Sequence, residues 1–129
     1  MARILLIDDE SQIRSMLRLM LERVGYEVIE AEDGMEGIRQ YRDNPADLII
    51  TDLIMPNKDG IGMIIELKKE FPQVKIIAMS GGGVNRPEGY LDGAQKLGAT
   101  RTLTKPIDRD EMINAVKETL KTDTASAEP

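Results

Sequence analysis

A chain of 129 residues with 17 basic and 23 acidic side chains, net charge −6, has the length of one ordinary domain and can bury roughly two-thirds of its surface. It contains neither cysteine nor histidine, which excludes disulfides, thiolate chemistry, imidazole bases, Cys-ligated zinc and His-ligated metals. The acidic excess opposes direct nucleic-acid binding, and no apolar stretch approaches the ~20 residues of a membrane span.

The first apolar run, Ile4–Ile7, ends at Asp8-Asp9-Glu10. It is too short and too soon acidic for a signal peptide, so a cytoplasmic domain is expected. Ile13, Met16, Leu17, Met20, Leu21 and Val24 then recur at helical spacing, and Gly25 supplies a stop. Val28–Ile29 reads as a second strand. Met35, Ile38 and Tyr41 mark a second helix that ends before Asn44-Pro45. A third strand, Leu48–Thr51, precedes a helix through Ile61, Ile64, Ile65 and Leu67 that ends near Phe71-Pro72. Val74–Met79 is the fourth strand. Pro87 opens a helix through Leu91, Ala94 and Leu97, stopped at Gly98. Thr102–Leu103 is the fifth strand, and Met112, Ile113, Val116 and Leu120 give the last helix.

This alternation is an α/β pattern, (βα)5, and short links imply a parallel sheet covered on both faces. For a doubly wound five-stranded unit the expected order is 2-1-3-4-5, the flavodoxin-like arrangement. The expected organisation is one domain over residues 1–121 with a frayed polar tail, residues 122–129, and no output domain.

In such sheets ligands bind beyond the C-terminal strand ends. Asp8 and Asp9 follow the first strand, Asp52 the third, Ser80 the fourth, and Lys105 the fifth, before Pro106. Taken singly, each is an ordinary loop residue. Together they offer carboxylates for a hard cation such as Mg²⁺, an ammonium for a phosphoryl group and a hydroxyl donor. An aspartate can also act as the nucleophile and form an aspartyl phosphate.

The segments ILLIDDE (4–10), LIITDLIMPNKDG (48–60), IIAMSG (76–81) and TLTKPI (102–107) resemble the four signature segments of bacterial response-regulator receiver domains. The resemblance spans about residues 2–121. It implies that Asp52 is the phosphoacceptor and that Asp9, Asp52 and the backbone carbonyl of Ile54 ligate Mg²⁺, with Asp8 acting through water. It further implies that Ser80 is the switch hydroxyl and that Lys105 pairs with phosphoryl oxygens. Met55-Pro56 and Gly60 match the family's loop into the third helix. The implied partners are a sensor histidine kinase or a histidine phosphotransfer protein, which must supply the phosphohistidine, and an unknown downstream protein. Membrane and direct nucleic-acid contacts are not expected.

Two departures stand out. Thr102 occupies a position that usually holds Phe or Tyr, which puts the usual aromatic relay in doubt. The Ser80–Lys105 interval is longer than in many members, and the excess falls in Gly81–Arg86, where a pliable loop is expected. Gly89 and Gly93 should make the following helix marginal, with Tyr90 filling core, and signalling through this loop and helix is one expectation. The alternatives are a phosphorelay intermediate or phosphate sink, a Mg²⁺-dependent phosphohydrolase and a flavodoxin-like cofactor binder. The second is disfavoured by Ile54 where a second acid is common. The third is disfavoured by the lack of a phosphate-binding loop after the first strand.

Overall fold

The computed structural model describes residues 1–53, 60–81 and 98–127, the last six of these as backbone only. Its elements are β1 (Arg3–Ile7), α1 (Ser11–Val24), β2 (Glu27–Ala31), α2 (Gly34–Asp43), β3 (Leu48–Asp52), α3 (Gly60–Glu70), β4 (Ile76–Gly81), β5 (Arg101–Lys105) and α4 (Arg109–Ala127). The five strands form one sheet in the order β2-β1-β3-β4-β5, and every pairing is parallel. This is the expected doubly wound, flavodoxin-like arrangement. The expected helix over 87–97 (with Gly89, Tyr90 and Gly93), the loop residues 82–86, Ile54 and Met55-Pro56 lie outside the described residues.

Side-chain alternation along the strands builds two cores. Leu5, Ile7, Ile49, Ile76 and Ala78 face α2 and α3, where they meet Ile38, Tyr41, Met63, Ile64 and Leu67. Ile4, Leu6, Leu48, Ile50, Ile77, Met79 and Leu103 face α1 and α4, where they meet Leu17, Leu21, Met112 and Val116. Strands buried on both faces account for their unbroken apolar runs. Each fully buried aliphatic side chain contributes about 1.5–3 kcal/mol. Tyr41 and Phe71 add an edge-to-face contact with ring centroids 5.0 Å apart.

Local signals set the element ends. Gly25 adopts φ 110°, and its N–H closes α1 onto Glu22 and Leu21, a left-handed position that a Cβ disfavours. Asp33 caps α2 by accepting the Glu36 N–H at 2.9 Å, and Glu36 in turn accepts the Glu32 N–H at 3.0 Å.

Several boundaries differ from the sequence expectation. Strand β4 begins at Ile76 rather than Val74, because the Val74 N–H donates to Phe71 in the turn that closes α3. It extends to Gly81, whose ladder partner is Lys105, so Gly81 belongs to the sheet and not to the loop. The same ladder lengthens β5 to Arg101–Lys105. Helix α4 continues to Ala127, past the boundary expected at 121. No glycine or proline interrupts residues 122–127, and each added residue extends a nucleated helix by one hydrogen bond. The apolar stripes are also narrower than the periodicity suggests, since Met16, Met35 and Ile65 are exposed. Met16 lies about 100° around the helix from Leu17, at the edge of the buried arc.

Candidate functional site

The ends of the two central strands carry acids. The Asp8 N–H donates to Ala31 at 3.2 Å, the last rung beyond β1. Asp8, Asp52 and Lys105 each stand two residues past a member of the core under α1 and α4, namely Leu6, Ile50 and Leu103. The period of two therefore carries all three toward the same side of the sheet. Gly60 brings the start of α3 hard against this strand end. Its N–H donates to Leu53 at 2.9 Å. A Cβ there would overlap the Asp52 carbonyl oxygen and lie 2.7 Å from the Leu53 Cα.

Asp8, Asp9 and Asp52 each present one carboxylate oxygen, and the three atoms lie within 4.8 Å of one another. Asp8 and Asp52 are buried, whereas Asp9 is exposed. Lys105 Nζ reaches Asp8 Oδ2 at 3.0 Å and Asp52 Oδ2 at 3.3 Å, with Glu10 Oε1 at 3.9 Å. One ammonium among these carboxylates leaves the cluster net negative. Burial pulls the Lys105 pKa down, but the hydrogen bond to Asp8 and the charges of Asp52 and Asp8 outweigh it, so the net direction is upward. The Lys105–Pro106 peptide bond is cis.

The donor set suits a small hard cation. Every candidate ligand is an oxygen, the donor type that Mg²⁺ takes in its ~2.0–2.1 Å shell. Like-charged carboxylates this close repel one another unless a cation joins them.

The other expected site residues are more dispersed. Ser80 is buried at the end of β4, and its hydroxyl donates to the Gly81 carbonyl at 3.5 Å. Thr102 pairs in register with Ala78 and lines an open cavity of about 650 Å³ between β5 and α4. The acids and Lys105 are not part of that cavity's lining.

Sequence reasoning missed a set of charges behind the acids. Arg14 Nη1 donates to the Asp8 carbonyl at 2.6 Å, and its Nε donates to Glu30 Oε1 at 3.0 Å. Arg18 Nη1 donates to the other Glu30 oxygen at 2.6 Å, and its Nε donates to Glu22 at 3.0 Å. The Arg18 hydrogen bond is the main cause holding the Glu30 carboxyl below its usual range. Helical spacing shows Arg14 and Arg18 on one side of α1, but Glu30 lies on another element and nothing local marks it.

Known proteins resemble this chain throughout. The model of the response regulator receiver domain matches residues 4–117. The chain is 34% identical over 119 residues to the chemotaxis protein CheY of Bacillus subtilis, covering 92% of this chain and 97% of that protein. It is also 34% identical over 120 residues to the transcriptional regulatory protein GlrR of Escherichia coli, but spans only 26% of that protein. Among solved structures, a response regulator receiver domain protein from Clostridium thermocellum superimposes with a TM-score of 0.88 at 32% identity, over 97% of this chain and 98% of that chain. A chain that agrees with receiver domains in sequence over residues 4–117, and in fold over nearly its whole length, belongs to the response regulator receiver domain family of two-component signalling proteins.

Proposed function

We propose that this chain accepts a phosphoryl group on Asp52 from a phosphohistidine and signals through protein contacts that depend on it. The supporting observation is the juxtaposition of the Asp52 carboxylate with Lys105 at 3.3 Å beside Asp8 and Asp9, in a cluster made of oxygen donors. An Asp52 oxygen attacks phosphorus, the P–N bond of the donor breaks, and its electron pair returns to the imidazole nitrogen. These 129 residues contain no histidine, so the donor lies outside them, on a sensor histidine kinase or a histidine phosphotransfer protein.

Asp9 and Asp52, with the Ile54 carbonyl that the family resemblance adds and Asp8 acting through water, would hold Mg²⁺. When bound, the ion neutralises phosphoryl oxygens and lowers the repulsion an anionic nucleophile meets. Lys105 moves from carboxylates to phosphoryl oxygens, a charge-assisted contact of the same kind. The Ser80 hydroxyl gives up its long bond to Gly81 and donates to the same group. The chain acts as a signalling receiver that promotes only its own phosphorylation and dephosphorylation, in the cytoplasm. Among the described residues no helix is long and apolar enough to cross a membrane. Thr102 favours a second reading, a relay intermediate or phosphate sink, because β5 lacks the ring that couples the pocket to an output surface in the family.

The test is intact mass after incubation with acetyl phosphate and Mg²⁺. Wild type should gain one phosphoryl group, whereas Asp52→Asn and wild type in excess chelator should gain none. Labelling of Asp52→Asn at the wild-type level would refute the assignment.

A further inference from the structure

We propose that Arg14 is a positioning residue of the acidic site, and that Glu30 and Arg18 hold it in place. This rests on the reading of Asp8 and Asp9 as cation ligands. The Asp8 carbonyl and the Asp9 N–H belong to one planar peptide unit. A donor fixed on that carbonyl therefore sets the plane from which both carboxylates project. Arg14 is such a donor, at 2.6 Å. Asp8 is pinned at two further points: its N–H donates to the Ala31 carbonyl at 3.2 Å, and its Oδ1 accepts the Glu10 N–H at 2.9 Å. Ala31 and Glu10 restrain Asp8 itself, whereas Arg14 restrains the link to Asp9.

The guanidinium has little freedom. Its Nε is held by Glu30, which Arg18 engages from the far side, while Arg18 is braced by Glu22. Arg14 is 15% exposed, against 43% for Arg18, so the chain of charges runs inward from the open face of α1 to the strand end. Two donors at a fixed angle serve two acceptors on different strands, a task the fork of arginine performs and a single ammonium does not.

Charge and geometry make opposite predictions, which separates the two roles. A guanidinium near a cation site repels the cation, and its removal makes the surroundings one charge more negative, so a purely electrostatic Arg14 weakens Mg²⁺ binding. A positioning Arg14 strengthens it.

The experiment titrates Mg²⁺ alone into the full chain by calorimetry, with melting temperature measured in parallel, for wild type, Arg14→Ala, Arg14→Lys and Arg42→Ala. Arg42 pairs with Glu66 and Glu70 across α2 and α3 and controls for loss of an exposed arginine. Arg14→Ala should bind Mg²⁺ about tenfold more weakly, as loss of an outer-shell partner does. Arg14→Lys should recover part of this, and Arg42→Ala should match wild type. Phosphorylation of Arg14→Ala by acetyl phosphate should be slow at low Mg²⁺ and approach the wild-type rate at saturation. Equal or tighter Mg²⁺ binding by a folded Arg14→Ala overturns the proposal. If Arg14→Ala does not fold, Arg18→Ala decides, since loss of this cation strengthens Mg²⁺ binding by charge alone and weakens it by loosening Glu30 and Arg14: weaker Mg²⁺ binding supports the role, and unchanged or tighter binding overturns it. A wild type without Mg²⁺ affinity overturns the metal reading and this proposal together, whereas a binding wild type with an equally binding Arg14→Ala overturns this proposal alone.

Discussion

Glu30 shows how a single side chain ties pH to stability in this domain. The Arg18 hydrogen bond favours its ionised form most, burial opposes it, Arg14 adds further support, and the net effect lowers its pKa. A depressed carboxylate stabilises the fold above its unfolded pKa of about 4.3, and that contribution disappears as pH falls through the folded value. Glu30→Gln should therefore cost about 0.5–1 kcal/mol at pH 7, the range of partly exposed ion pairs, and much less near pH 3. Urea unfolding of both proteins at the two pH values checks this. A cost that persists undiminished in acid would assign the effect to packing. At the same scale, Asp8, Asp9, Asp52 and Lys105 were legible in the sequence because each follows an apolar run, and strand ends are where such sheets place their ligands. Arg14 and Glu30 were not, because their bond joins a helix to the neighbouring strand across 16 positions.

At the scale of elements, periodicity located the described helices but overestimated their buried arcs. The apolar repeat contains Met16 and Met35, yet only residues facing the sheet become covered. Helix α4 has the converse feature. Thr119 is fully buried, and its hydroxyl has no hydrogen-bond partner among the described residues. A buried hydroxyl without a partner costs about 1–3 kcal/mol relative to an apolar group of the same shape. Thr119→Val should thus raise the urea midpoint with an unchanged m-value, corresponding to about 1 kcal/mol of added stability. An unchanged or lower midpoint would show that the hydroxyl is satisfied in solution. Capping also separates the legible from the illegible. Gly25 ends α1 as its residue type suggests, whereas the start of β4 depended on which turn closes α3.

Across the whole molecule, the site exists because the sheet order inserts β1 beside β3 and leaves β5 at the edge. Lys105 reaches from that edge past β4 to Asp52 on β3 and Asp8 beyond β1. Removing it takes the neighbouring ammonium away from two buried carboxylates. Lys105→Met should lose about 2–4 kcal/mol of stability in metal-free buffer, since breaking one side of a buried pair leaves uncompensated charge. Added Mg²⁺ should then stabilise the variant by more than it stabilises wild type, because the ion no longer displaces an ammonium. Melting temperatures with and without Mg²⁺ test both statements, and equal Mg²⁺ increments in the two proteins would contradict the second. The pKa of Lys105 is raised in the fold. Its stabilisation is therefore fully present at neutral pH, and it is lost only as pH climbs above about 10.4 through the folded value.

The amino-acid sequence by itself determined the α/β class, the order of the elements and the identity of the residues at the strand ends. All three follow from local periodicity, from residue type and from the parallel pairing that short alternating links impose. Only the tertiary structure decided which charges meet. Lys105 lies 97 positions from Asp8 and 53 from Asp52, and no local pattern encodes a contact between residues that far apart. The tertiary structure likewise assigned Gly81 to the sheet, exposed Met16 and placed Arg14 on the Asp8 carbonyl. Each of those outcomes depends on which surfaces and backbone groups other elements cover, and that is settled when the helices pack on the sheet.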